Sequence, residues 1–527
     1  MVKPYKIVIT LIILLLLLAL PGWFLRLSEV TILGKTIVIP NVNKLFTPDT
    51  LSYTPTSSLL NPELENLDKH IDTAINSISY KTGGADYISI ADSLLMAINT
   101  ISQSDSTAAM ADSTTSITAD WLRNRIIPIE FADSTAKELN PFFEALRKNL
   151  PSKELIRVMH YGDSQIEGDR VTSFLRARLQ SRFGGGGVGL LHAVPFSYQF
   201  ANVTLSTSNN WEKLILADGS SKSSGVKRLG TLFGFSSFKK SKSLFGGEQI
   251  TKAWVEMQRM GNRNVPARNF TQLRVFYGYN NQPFTLELMV GEQTLDAELI
   301  PTTAKLSKLQ WDVPLSVNTM KLRFSGTNSP MIYALALDAK KGIAVDNIAL
   351  RGSSGTDFTR TDLTFFKEMM GMLNTKLIIL QFGVNVVPHV VSDYTYYEEQ
   401  LYNQIAALKR IAPSASVVVI GVSDMARKEG GEFVSYPNIE HIRNAQRNAA
   451  FRAGAAFWDC YAAMGGKNSM AAWAFANPAL ANKDFVHFTY RGSRLIAEMF
   501  YAALMSSYEH HLQSFEKRTE QLVTEAK

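Results

Sequence analysis

Four short apolar runs, separated by stretches with helical spacing, constrain this chain more than any other feature. Residues 156–161, 343–350, 376–382 and 416–420 are each the length of a buried strand. Between and around them, apolar residues recur every three or four positions. In 134–150 these are Leu139, Phe142, Phe143, Leu146 and Leu150, with Ser134 in N-cap position; in 163–182 they are Val171, Phe174, Leu175 and Leu179; 397–411 and 440–453 read the same way. Alternating strands and helices imply a parallel sheet with both faces covered, and such sheets gather their active sites at the carboxyl ends of the strands. Ser164, Gly352 and Gly383 each come just after one of the runs.

The alternation is interrupted between the first and second runs. Across 193–345 the spacing shortens to strands and turns: 272–279, then Asn280-Asn281-Gln282-Pro283, then 284–290, 295–300, 320–324 and 331–337. Short strands at regular spacing predict a β-sandwich, here inserted into an α/β body. A chain of 527 residues has room for two or three domains. The reading is therefore a segment over 1–25, a polar spacer over 26–125, an α/β body over 126–192 and 346–512 interrupted by 193–345, and a charged, helical tail over 513–527.

Segment 1–25 places Lys3 and Lys6 before an apolar run over 7–20, followed by Pro21-Gly22-Trp23-Phe24-Leu25. To residue 20 the run has signal-peptide length; to residue 25 it approaches the roughly 20 residues that span a bilayer. No small-x-small cleavage site is evident. The expectation is an uncleaved anchor, with secretion after cleavage as the alternative. Positive charge ahead of the run puts the body on the extracytoplasmic, periplasmic side of the inner membrane. The Ser/Thr/Ala/Asp-rich stretch 101–120 fits a tether. The net charge of +7 favours anionic partners. Nucleic acid is not among them, because no dense basic cluster is interleaved with aromatics. The one cysteine, Cys460, sits among apolar residues and reads as an inert core thiol. No histidine or cysteine spacing suits a metal, and the oligomeric state is not legible.

Two motifs carry chemistry: Gly162-Asp163-Ser164, and Asp484-Phe485-Val486-His487. A serine hydroxyl needs an imidazole to take its proton, and the imidazole needs a carboxylate on its other nitrogen. An aspartate three residues before a histidine can make that second contact locally. Alone, either motif reads as a turn or a helix cap. No G-x-S-x-G elbow surrounds Ser164, which argues against the α/β-hydrolase fold. His160 reads as a core histidine, Asp163 as structural, His192 and His389 as loop residues, and the run Gly184–Gly187 as a flexible turn. Trp211, Trp254 and Trp311 suit either sugar stacking or core packing.

In order, Gly162-Asp163-Ser164, Asn347-Ile348-Ala349-Leu350-Arg351-Gly352, Gly383-Val384-Asn385 and Asp484-Phe485-Val486-His487 resemble the blocks of the SGNH, or GDSL-type, hydrolase superfamily. The likeness covers roughly 128–192 and 343–505. It implies a three-layer α/β/α parallel-sheet SGNH hydrolase fold. It also implies that Ser164 is the nucleophile, with Asp484 and His487 completing the triad. The Ser164 N–H, the Gly352 N–H and the Asn385 amide would form the oxyanion hole. Val386 departs from the pattern, since many relatives carry Asp there. The segment from Leu179 to Gly189, together with Phe457-Trp458-Asp459, Met464-Gly465-Gly466 and Trp473, is similar to cell-wall polysaccharide O-acetylesterases, which also carry a β-sandwich, carbohydrate-module-like insertion. That likeness implies an esterase that removes O-acetyl groups from a glycan, with peptidoglycan favoured and no metal or organic cofactor required. The alternatives are an acetyltransferase using the same triad and a non-catalytic glycan-binding protein.

Overall fold

The computed structural model describes residues 29–32, 35–38 and 127–525, apart from 153, 195–201, 217–224, 241–248, 262 and 264. The apolar segment over 1–25 and nearly all of the spacer therefore lie outside the described residues. Among the described residues no helix is long and apolar enough to cross a membrane. Strands β1 (Glu29–Ile32) and β2 (Lys35–Val38) pair as an antiparallel hairpin in a unit spanning Met1–Ser58. The second unit, Leu59–Lys527, holds all the other described elements.

Strand β3 (Ile129–Glu130) leads into helix α1 (Asn140–Ser152). Ser134 does not cap it. A one-turn helix, Lys137–Leu139, intervenes, and Pro141, whose fixed φ suits a first turn, lies just inside the start. Strand β4 (Leu155–Gly162) and helix α2 (Thr172–Phe183) come next. Antiparallel strands then begin: β5 (Gly189–Leu191), β6 (Val203–Thr207), β7 (Trp211–Ile215), β8 (Gly234–Phe238), β9 (Thr251–Arg259), β10 (Gln272–Asn280), β11 (Phe284–Val290), β12 (Gln293–Ile300), β13 (Thr303–Asp312), β14 (Thr319–Gly326) and β15 (Met331–Asp338). The chain then returns through β16 (Gly342–Ala349), α3 (Leu363–Leu373), β17 (Thr375–Gln381), α4 (Thr395–Ile411), β18 (Ser416–Ile420), the hairpin β19 (Ala426–Glu429) and β20 (Glu432–Ser435), α5 (Ile439–Arg452), β21 (Ala456–Trp458), α6 (Cys460–Met464), α7 (Ser469–Phe475) and the long α8 (Tyr490–Glu525).

The α/β body is built on a six-stranded sheet in the order β16-β4-β17-β18-β21-β3. All its pairings are parallel except β21 with β3, so the edge strand makes the sheet mixed. Side chains alternate strictly. Ile156, Val158, Leu377, Ile379, Val418 and Ile420 face one core with α1, α2, α7 and α8. Met159, Tyr161, Ile378, Leu380, Val417 and Val419 face another with α3, α4 and α5. Period-two burial on both faces is what an apolar run in a parallel sheet produces.

The inserted strands form two sheets, β13-β10-β15-β8-β7 with β5 beside β15, and β12-β11-β14-β9-β6. Val255, Leu286 and Leu322 of one sheet meet Leu273, Val275 and Leu335 of the other in a shared core. The antiparallel region runs from Gly189 to Asp338, and β16 returns to the parallel sheet a few residues later. The far face of the first sheet is not free. Phe235, Phe276 and Tyr333 join the α3 core, where Tyr333 and Phe365 lie with ring centroids 4.7 Å apart. The insertion is thus fused to the body through apolar packing.

A buried ionic joint reinforces that fusion. Arg157, fully buried on β4, donates to Asp338 at the end of β15 (2.6 Å) and to Asp346 on β16 (2.5 Å); Arg274 also pairs with Asp338, and Leu190 N–H donates to Asp346. Replacing Arg157 with alanine would leave Asp346 buried without its cation, a change that typically costs about 3–5 kcal/mol. Denaturant unfolding of R157A is expected to show a loss of that size.

The glycine run is the opposite of a flexible turn. A Cβ on Gly185 would lie 2.3 Å from the Ile343 carbonyl oxygen, and one on Gly187 would lie 1.9 Å from that of Leu337. Both have positive φ. Gly185 and Gly187 thread between β15 and β16, where only bare backbone fits. Trp211 and Trp311 pack on the sandwich core, whereas Trp254 is half-buried outside it. Trp211 lies edge-on to Phe238 and Phe324, Trp311 donates to Asp296, and Lys321 covers the Trp254 ring.

Candidate active site

Ser164 stands on the turn directly after β4. The neighbouring β16 and β17 end at the same edge, and their loops carry Gly352 and Asn385. The register explains the convergence: Gly162 pairs with Ala349 on one side and Gln381 on the other. Leu350 N–H donates to the Gly162 carbonyl (2.7 Å), and Asp163 N–H donates to that of Gln381 (3.1 Å).

The imidazole of His487 arrives from a compact loop ahead of α8. Asn482 N–H donates to the His487 carbonyl (2.8 Å), and Phe485 N–H donates to that of Asn482 (3.0 Å). Asp484 serves two purposes through its two oxygens. Oδ1 accepts from the Val486 and His487 N–H groups, both at 3.0 Å, while Oδ2 lies 2.8 Å from His487 Nδ1. The Asp-x-x-His spacing thus lets one carboxylate shape the turn and face the ring. Partial burial pushes the Asp484 carboxyl up, but the backbone N–H groups of His487 and Val486 and the imidazole outweigh it and hold it below the usual range. His487 Nε2 lies 2.8 Å from Ser164 Oγ. The structure therefore joins Ser164, His487 and Asp484 in one hydrogen-bonded chain, although Ser164 and His487 are 323 residues apart.

Gly352 and Asn385 are linked by a bond from the asparagine to the residue after the glycine. Asn385 Nδ2 donates to the Ser353 carbonyl (2.8 Å), which fixes the amide and leaves its second N–H available. Gly352 is exposed with φ +79°, and a Cβ there would meet nothing within 4 Å. Backbone conformation, not crowding, favours glycine at this position. Val386 is buried in the apolar core, which an apolar side chain suits.

Asp163 is buried, and burial pushes its carboxyl up to about 7 against the pull of the Gln165, Val384 and Gly383 N–H groups. Native protein therefore holds this proton up to about pH 7, whereas the unfolded chain releases it near 3.8. The stabilisation from that proton is complete below pH 3.8 and is lost as pH rises through 7. D163N should flatten this part of the stability profile, between about pH 4 and 8, in thermal unfolding relative to wild type.

Sequence reasoning missed Gln165. Its Nε2 donates to the Val486 carbonyl (2.6 Å) and to Ser423 Oγ (3.2 Å), tying the serine turn to the histidine loop. Nothing in the sequence marks a glutamine for this, because both partners are remote. Arg170 donates to the Ser164 carbonyl (2.9 Å). His160 is buried and bonded at both ring nitrogens, to Gln381 and Thr172; burial lowers its pKa to about 3. His389 is exposed, and His192 directly follows β5 in the antiparallel region. Burial pushes the Cys460 thiol up, as an inert core position requires.

Residues 317–495 match the GDSL-like Lipase/Acylhydrolase family. That span begins within the antiparallel insertion, at its last two strands, and holds Gly352, Asn385, Asp484 and His487; the rest of the insertion separates it from Ser164. A solved peptidoglycan O-acetylesterase overlays with a TM-score of 0.57 at 20% identity, covering 72% of this chain and 99% of its own. That likeness shows the shared fold. A family two carbohydrate esterase from Clostridium thermocellum in complex with cellohexaose (TM-score 0.23, 11% identity, 49% of this chain and 92% of its own) overlays too loosely to add to it. The same holds for an acetyl xylan esterase (TM-score 0.24, 17% identity, 31% of this chain and 81% of its own). No curated protein matches the sequence.

Proposed function

We propose that this chain, a serine hydrolase of the GDSL type that acts on ester bonds, removes O-acetyl groups from a cell-wall or extracellular polysaccharide, with peptidoglycan the favoured substrate. The observation that carries this reading is the hydrogen-bonded chain Ser164–His487–Asp484, at the carboxyl edge of a sheet whose fold is similar to that of a peptidoglycan O-acetylesterase.

Ser164 Oγ attacks the acetyl carbonyl carbon while His487 Nε2 takes its proton. The carbonyl oxygen becomes an oxyanion, held by the N–H groups of Ser164 and Gly352 and by the free N–H of Asn385. Such donors act where charge develops, and losing one costs about 3 kcal/mol of barrier. As the tetrahedral intermediate collapses, the bond to the sugar oxygen breaks and His487 protonates that oxygen, releasing the sugar hydroxyl and leaving acetyl-Ser164. Water, deprotonated by the same imidazole, attacks the acyl-enzyme; acetate leaves and the Ser164 hydroxyl is restored. Asp484 holds Nδ1–H throughout and stabilises the imidazolium. The chemistry calls on no metal or organic cofactor.

The enzyme works outside the cytoplasm, held at the membrane by segment 1–25; Lys3 and Lys6 ahead of an apolar run support this. Passing the acetyl to a sugar hydroxyl instead of water would make the same site a transferase. Incubation with O-acetylated peptidoglycan, acetylated xylan and acetylated alginate tests the reading. Free acetate is expected chiefly from peptidoglycan. Acetate from xylan or alginate alone would overturn the substrate, and acetyl appearing on a glycan acceptor without free acetate would overturn hydrolysis.

A further inference from the structure

The loop carrying His487 is braced from outside in addition to its own hydrogen bonds. Phe485, two residues before the imidazole, has φ +57°, a left-handed conformation that a bulky side chain adopts only when its surroundings impose it. The surroundings that do so come from the small hairpin β19–β20. Ala426 N–H, at the first residue of β19, donates to the Phe485 carbonyl (3.1 Å). Phe433 of β20 stacks on the Phe485 ring with centroids 3.8 Å apart and planes 17° from parallel. Phe475 of α7 closes the group, 5.6 Å from Phe485 and 5.9 Å from Phe433.

The hairpin itself is fastened. Ser435 Oγ donates to the buried Asp424 carboxylate (2.9 Å), which also accepts from Met470 N–H (2.8 Å) at the start of α7. Ser435 and Asn468 exchange a further pair of bonds, and Tyr436 N–H donates to the Met425 carbonyl. Beside Asp424, Ser423 accepts from Gln165, whose amide also holds the Val486 carbonyl. The two carbonyls preceding His487 are thus gripped separately, Val486 by the serine turn and Phe485 by the hairpin.

We infer that the β19–β20 hairpin is a positioning device for the catalytic imidazole, and that Phe433 is the positioning residue acting through Phe485. Phe433 touches no reacting atom. Its ring keeps the Phe485 backbone in its unusual conformation, and this aims Nε2 at Ser164. This inference rests on the serine-esterase reading but not on the identity of the glycan.

The test uses the full chain and a small chromogenic acetyl ester, so that the choice of polysaccharide does not enter. Phe433→Ala is expected to lower kcat by about 10–100-fold with KM within about twofold, the penalty of a small misplacement of reacting groups. Labelling of Ser164 by a fluorophosphonate, which needs the same imidazole, should slow in step. Phe433→Tyr keeps the stacked ring and should restore both rates; Phe433→Leu keeps bulk without the stack and should not. Because Phe433 is half-buried on a surface hairpin, the variants should fold; if Phe433→Ala does not, the comparison of Phe433→Leu with Phe433→Tyr decides. A kcat within about twofold of wild type in Phe433→Leu, or a raised KM with unchanged kcat, would overturn the inference. An inactive wild-type enzyme would instead overturn the esterase reading.

Discussion

Exchanging Ser164 for alanine is expected to lower acetyl-ester hydrolysis by about 10⁶-fold while leaving the protein folded. The loss comes from covalent chemistry: without Oγ no acyl-enzyme forms, and His487 has no proton to accept. What remains is the background rate that the oxyanion donors and substrate binding give to direct attack by water. The fold should tolerate the change. Ser164 is almost buried in a turn held by backbone bonds, and alanine fits the same volume. The lost Oγ–Nε2 hydrogen bond is worth about 1 kcal/mol. Acetate release and thermal unfolding of wild type and S164A, measured side by side, check this. Activity within about tenfold of wild type in a folded variant would place the nucleophile elsewhere.

The second large effect is expected from Asp484→Asn, roughly 10²–10⁴-fold in kcat. Asparagine keeps Oδ1, so the Val486 and His487 N–H groups retain their acceptor and the turn survives. The change is at Oδ2, where an NH₂ group would face Nδ1. That donor favours the tautomer with its proton on Nε2, the nitrogen that must accept from Ser164. The imidazolium also loses its counter-charge. Because Asp484 is half-exposed, water softens the effect, which is why the range extends down to about a hundredfold. The kcat of D484N against a small acetyl ester, with its circular dichroism spectrum, tests this. An unchanged kcat would mean that the carboxylate only shapes the turn.

What the sequence revealed was local. Each parallel strand is a run of apolar residues that packs on both faces, so the runs at 156–161, 376–382 and 416–420 could be read from side-chain type alone. The Asp484–His487 contact was legible because three residues of spacing determine it. The features that escaped depend on partners far along the chain. Arg157 interrupts an apolar run, and nothing nearby says that its carboxylates are Asp338 and Asp346. Gln165 looks like any polar residue after a motif serine. The pattern of 193–345 pointed to a sandwich, but not to Phe235, Phe276 and Tyr333 fastening it onto α3. The glycine run at 184–187 was misjudged because flexibility and close backbone approach leave the same residue in the sequence. The hairpin β19–β20 is too short and too charged to register as strands, and its contacts with the left-handed Phe485 join residues remote in sequence.

The most direct measurement of the proton relay is covalent capture of the nucleophile. Wild-type protein treated with a fluorophosphonate should gain a single adduct by intact mass. Peptide mapping should place it on Ser164, and His487→Ala should not acquire it on the same timescale. A protein that hydrolyses acetyl esters yet carries the adduct on another residue, or labels equally fast without its imidazole, would contradict the relay between Ser164 and His487.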